Sequence, residues 1–272
     1  MMLIDLPFPE DEVQRLLDHL KQNPNDSENW HRLGVAFLSL NHPDDAERAF
    51  QQCIKLDKNN AYAYGDLGGL YIVRGRPNDA IKYLKISVKI KSDIPEYWST
   101  LGVAYLQRNK LENAIKAFEM SLVLEPKHYD ALVSLGMTYL RLSSWEEASE
   151  ALYRADKIKP DNYDVLKALA RSLMKQNRTE ELEKVYLRMR ELDPEDHSLM
   201  MYLGQIAFNS GRTMEGLDYY RKATEMDPDS LMAWKILAEA LSMLGMKEES
   251  DRARARYKQI EKKIKHSQKI RT

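Results

Sequence analysis

A chain of 272 residues is long enough for one large domain or two ordinary ones, and an apolar content of 43 % suffices for a core. Lysine and arginine number 41 against 42 acids, a net charge of −1, so bulk charge points to no partner class; glycine (11) and proline (10) are too sparse for a low-complexity chain. Cys53, the one cysteine, excludes an internal disulfide and fits a reducing compartment. The opening MMLIDLPFPEDE has neither the basic start nor the apolar stretch of a secretory leader, and no apolar run approaches the ~18 residues of a membrane span. The expectation is a soluble, cytoplasmic protein.

In chain order, the first expected element is a helix over residues 9–22, with Val13, Leu16, Leu17 and Leu20 as its apolar stripe and Pro24 as its stop. From residue 27 the chain repeats itself every 34 residues. WSTLGVAYLQRNKLENAIKAFEMSLVLEP at 98–126 stands between YGDLGGLYIVRGRPNDAIKYLKISVKIKS at 64–92 and LVSLGMTYLRLSSWEEASEALYRADKIKP at 132–160. Blocks beginning at 27, 61, 95, 129, 163, 197 and 231 run without insertion or deletion. Their seventh residue is always leucine: Leu33, Leu67, Leu101, Leu135, Leu169, Leu203 and Leu237. Their eighth is always small: Gly34, Gly68, Gly102, Gly136, Ala170, Gly204 and Ala238. The twentieth is mostly small, as Ala46, Ala80, Ala114 and Ala148, with Leu182 the large exception.

Each block predicts two helices. Positions 4, 7, 8 and 11 share one helical face, and positions 20, 24 and 27 share the face of a second helix. The small residue at 8 is expected to meet the small residue at 20. A short polar link, such as 107–110, forces an antiparallel hairpin. Pro43 and Pro77 open second helices, where a missing N–H costs little, and Pro126 and its equivalents end them. One hairpin cannot bury both of its apolar faces, so successive hairpins must stack. The last second helix, KEESDRARARYKQIEKK, is polar as an outer cap should be.

Trp98, Leu101, Gly102, Tyr105, Ala114, Phe118 and Pro126 reproduce W-x2-L-G-x2-Y, then A-x3-F, then P. The chain thereby resembles the tetratricopeptide repeat family. The resemblance implies an all-α fold, a right-handed superhelical solenoid of antiparallel helix pairs. Residues 1–26 would carry a capping helix. Seven repeats would follow (27–60, 61–94, 95–128, 129–162, 163–196, 197–230 and 231–264), then a basic tail over 265–272.

The resemblance also implies a non-enzymatic adaptor or scaffold that binds a partner peptide or protein segment in a concave groove of first helices. The residues supply no competing chemistry. There is no H-E-x-x-H, P-loop or metal-ligand spacing of cysteines, and the six histidines show no pairing at three or four residues. No catalytic residue, metal, cofactor or small-molecule substrate is expected, and Cys53 reads as a buried structural thiol. By the family pattern the groove is lined by positions 2, 5, 9, 12 and 13 of each block. The expected lining is Tyr62, Gly65, Gly69, Ser99, Val103, Leu106, Val133, Met137, Arg141, Lys167, Arg171 and Lys175. The Lys-Asn-Asn-Lys-Arg clamp with which some family members hold a chaperone's C-terminal carboxylate is absent. After Lys167 and Arg171, Tyr202, Met232 and Ile236 stand where its Asn, Lys and Arg belong.

Two features of this lining stand out. Gly65 and Gly69 are glycines beyond the family's small residue, each costing ~0.8–1 kcal/mol in a helix. They either open a hollow for a partner's anchor residue, beside Tyr62, Ser99, Val103 and Leu106, or are tolerated drift. Lys167, Arg171 and Lys175 recur every four residues and form a basic stripe, with Arg141 its expected neighbour. The stripe either attracts an acidic partner segment or is an ordinary solvated face. The chain ends differ in charge. Residues 252–272 hold nine Lys or Arg against Glu261, and residues 1–30 hold seven acids against two bases. Head-to-tail self-association and a nucleic-acid role for the tail stay as alternatives. No aromatic platform accompanies that tail, so nucleic acid is not the expected partner.

Overall fold

A computed structural model describes residues 10–269, which form fifteen α-helices and, among the described residues, no strand. The first helix, α1, is Glu10–Gln22; Pro9, where the sequence pattern begins it, lies outside the described residues. Then follow α2 (Ser27–Ser39) with α3 (Pro43–Leu56), α4 (Ala61–Val73) with α5 (Pro77–Ile90), and α6 (Pro95–Gln107) with α7 (Leu111–Leu124). Next come α8 (Tyr129–Leu142) with α9 (Trp145–Ile158) and α10 (Tyr163–Lys175) with α11 (Thr179–Leu192). The series ends with α12 (His197–Asn209) and α13 (Thr213–Met226), then α14 (Leu231–Met243) and α15 (Lys247–Lys269). Two compact units part between Lys159 and Pro160. Each is an all-α repeat solenoid in which every helix packs on its neighbours in the chain. In the first unit the first helices also pack on one another, α2 on α4, α4 on α6 and α6 on α8, so they form one continuous row.

Local chemistry sets the helix ends. The residue before each first helix is an N-cap whose side chain accepts a backbone N–H of the first turn: Asp26, Asn60, His128, Asn162, Asp196 and Ser230. Ile94 cannot cap; α6 instead starts on Pro95, whose ring presets the helical φ. The turn within each pair puts the fifteenth residue of the block at positive φ: Asn41, Gly75, Asn109, Ser143, Asn177, Gly211 and Gly245. Glycine and asparagine, which tolerate the left-handed conformation, fill six of these seven places. Trp30, Trp98 and Trp234 each donate from Nε1 to the carbonyl six residues earlier, at 2.8, 2.8 and 3.0 Å, pinning the link that precedes their helix.

The seven leucines at position 7 are all buried. The small residue at position 8 meets the one at position 20, as expected: a Cβ added to Gly216 would lie 2.8 Å from the Gly204 carbonyl oxygen, and one added to Gly136 would lie 3.4 Å from that of Ala148. A Cβ added to Gly34, Gly102 or Gly204 would lie 2.5–2.6 Å from the ring of Phe50, Phe118 or Tyr220, and at Gly68 or Gly136 it would strike Leu84 or Leu152. Position 8 therefore also makes room for the large side chain at position 24. The α10–α11 pair packs most sparsely of the seven pairs. Leu182, buried where the other pairs mostly carry a small residue, explains the looser contact.

The ends of the array are closed differently. Leu16 and Leu20 of α1 are buried against Leu33, Ala36 and Ala49, so α1 caps the first pair. Helix α15 does not stop at residue 264 but continues to Lys269; residues 270–272 of the expected tail lie outside the described residues. Several of its cations are held within the chain: Lys263 reaches Asp229 at 3.3 Å, Arg256 reaches the same carboxylate at 3.5 Å, and Lys265 pairs with Glu261 at 3.0 Å.

Candidate functional site

In the first unit, the first-helix face carries a polar chain of contacts across three repeats. His31 Nε2 on α2 lies 2.7 Å from Asp66 Oδ2 on α4. Tyr97 on α6 donates its hydroxyl to Asp66 Oδ1 at 3.0 Å. Tyr62 meets Tyr97 edge-on with ring centres 6.5 Å apart, and Lys91 lies 4.7 Å from the centre of the Tyr62 ring while donating to its hydroxyl. Burial, reinforced by the adjacent Asp66 carboxylate, pushes the Tyr97 phenol far above its ordinary range, so it stays a donor. His31, Asp66 and Tyr97 went unrecognised in the sequence. The signal was there in the period: residue 66 is 35 after 31, and 97 is 31 after 66, so both steps cross one repeat.

This chain of contacts corrects the expected hollow. Gly65 is buried, and a Cβ there would lie 2.3 Å from Tyr97 Cζ, so the protein's own tyrosine fills the space that glycine leaves. Gly69 is different. Nothing lies within 4 Å of an added Cβ, so a dent remains at position 9 of the second repeat. Val35 and Val103, at the same position of the flanking repeats, are half-buried, as are Leu106 and Val133; Met137 is exposed and Ser99 is buried. Arg141 is exposed and donates from Nη2 to Asn109 Oδ1 at 2.7 Å, tied to the turn between α6 and α7.

In the second unit, Lys167, Arg171 and Lys175 are exposed on α10. Among the described residues none of the three has a hydrogen-bond or ion-pair partner. Four arginines of the same unit are engaged. Arg178 binds Glu181, Arg188 binds Asp161, Arg212 binds Glu183 and Arg221 binds Glu249, each at 2.7 Å. Buried Val165, Leu166, Ala168, Leu169 and Ser172 fix the rotation of α10, so its three cations face outward by packing.

Matches to the tetratricopeptide repeat family cover residues 37–103, 99–163, 167–230 and 205–250, most of the chain. The chain belongs to the tetratricopeptide repeat family. That fold is the fold of protein-interaction scaffolds. Among solved structures, MamA is 27 % identical at a TM-score of 0.55, over 58 % of this chain and 93 % of its own. YrrB, a tetratricopeptide protein described as having an unusual peptide-binding site, is 19 % identical at 0.61, over 69 % and 96 %. A tetratricopeptide protein of Cytophaga hutchinsonii is 13 % identical at 0.65, over 82 % and 92 %. The last two likenesses show the fold alone. No curated protein matches the chain.

Cys53 and His128 have structural roles within this tetratricopeptide array. Cys53 is fully buried, and burial pushes its thiol up to about 12, far from a reactive thiolate. Glu96, Glu125 and His128 bring three potential ligand atoms within 4.8 Å of one another. His128 Nδ1, however, accepts the Ala131 N–H at 3.3 Å as the cap of α8, which leaves the ring proton on Nε2. A cation on either nitrogen would disturb that cap. No described helix is long and apolar enough to cross a membrane.

Proposed function

We propose that this chain is a non-enzymatic cytoplasmic adaptor of seven repeats over 27–264, whose second unit holds an acidic segment of another protein. The observation that carries this reading is the set of three outward cations on α10, Lys167, Arg171 and Lys175, left without carboxylate partners. Unpaired like charges close together raise the local potential and attract an opposite charge. Taken by itself, the first unit carries an apolar row at position 9, dented at Gly69, that would seat an apolar side chain of a partner. Self-association through the basic end is the weaker reading, because Lys263, Lys265 and Arg256 of α15 already have acidic partners within the chain.

The test is a paired pull-down from source-cell lysate with wild type and K167E/R171E/K175E as baits, after circular dichroism shows equal helicity. The expected result is one set of proteins held by wild type and lost by the triple variant. An unchanged set on both baits refutes the role of the stripe. Recovery of the chain itself alone supports self-association instead.

A further inference from the structure

Lys167, Arg171 and Lys175 are spaced four residues apart on one helix. At 1.5 Å rise per residue their Cα atoms are about 6 Å apart along the axis, about 12 Å in all. In an extended chain, residues on one face recur every second position, about 6.7 Å apart at 3.3–3.4 Å per residue. Three acids at alternate positions thus span about 13 Å and meet three cations one to one. Flexible lysine and arginine side chains absorb the ~1 Å difference.

We infer that the ligand of this face is an extended segment of the pattern acid-x-acid-x-acid, lying along α10. The inference rests on the acidic-partner reading above and adds its register. A helical ligand would need acids at i, i+4 and i+8, which repel along its own face, and a short isolated helix is already marginal. Self-repulsion instead extends a charged chain, so the alternating segment is drawn toward its bound form. On the receptor side, Ala168 and Ser172 are buried and hold α10 in one rotation, so the register of the cations is built in. Asp164, one turn before Lys167, does not pair with it and leaves the stripe free.

The full chain is titrated, at low ionic strength where screening is weak, with three dye-labelled nine-residue peptides. All have three Glu and six Ser, as SSESESESS, ESSSESSSE and SSSEEESSS, and binding is read by fluorescence anisotropy. One further exposed ion pair contributes up to ~1 kcal/mol, about fivefold. The alternating peptide is expected to bind at least threefold more tightly than either other peptide. That preference is expected to vanish in K167E/R171E/K175E and to shrink in R171Q. Equal binding of all three peptides, lost in the triple variant, overturns the register and leaves the acidic-partner reading standing. No binding of any peptide overturns both. A single-stranded oligonucleotide that outcompetes the alternating peptide overturns the assignment to a protein segment.

Discussion

Two glycines four residues apart on α4 should respond in opposite senses to the same substitution. At Gly69, alanine meets open space, so Gly69→Ala keeps only the gain in helix propensity, about 0.8–1 kcal/mol. At Gly65, alanine receives the same gain but places Cβ 2.3–2.6 Å from three atoms of the Tyr97 ring. The ring cannot swing aside freely, because its hydroxyl donates to Asp66 at 3.0 Å. Overpacking costs about 1–3 kcal/mol, and a strained bond to a carboxylate is worth about 1.5–3 kcal/mol. Net of the propensity gain, Gly65→Ala should destabilise by about 2 kcal/mol or more. For a chain of this size 1 kcal/mol is about 2–4 °C in Tm, so thermal unfolding followed by circular dichroism separates the two variants. Equal or higher stability of Gly65→Ala would refute the claim that Tyr97 is locked over Gly65.

Position 27 offers a second pair of equivalent residues in unlike surroundings. Ser87 Oγ donates to the Ala61 carbonyl at 2.8 Å, whereas the equivalent Ser121 is buried with no partner among the described residues. Ser87→Ala should cost about 1 kcal/mol and Ser121→Ala should be neutral or stabilising, as measured by urea midpoints. Asp26 caps α2 and accepts bonds from Asn29 and His19; the Asn29 bonds, foremost, hold its carboxyl at about 2 against an ordinary 3.8. A depressed carboxylate contributes stability that is complete above pH 4 and is lost as pH falls toward 2. Asp26→Ala should therefore cost about 1 kcal/mol at pH 7, with the gap to wild type closing by pH 2 in acid titrations of ellipticity. Tyr97→Phe leaves Asp66 with His31 alone and should lower Tm by a few degrees in the same melts.

The architecture was legible because it is written in the period. Leucines and small residues at every 34th position, with a helix-ending proline in four of the seven blocks, predict helices, hairpins and stacking. What stayed hidden depends on contacts between repeats. Within a repeat one contact was hidden too: the glycine at position 8 meets the small residue at 20 as the pattern says, but it also makes room for the ring or branched side chain at 24, because side chains on a helix lean toward the N-terminus. Gly65 reads as a hollow because nothing local fills it; Tyr97, one repeat later, does. His31 looks isolated when partners are sought within its own helix, and its carboxylate is 35 residues away. The basic stripe was visible as spacing, but its lack of partners was not, since acids from any packed element were possible neighbours.

A partner lying along α10 would protect that helix, which amide hydrogen exchange of the full chain, with and without the recovered partner, would detect. Slowed exchange is expected in residues 163–175, with the second helices α11, α13 and α15 unchanged, and no such slowing in K167E/R171E/K175E. Slowed exchange confined to α11, α13 or α15, with α10 unaffected, would contradict it.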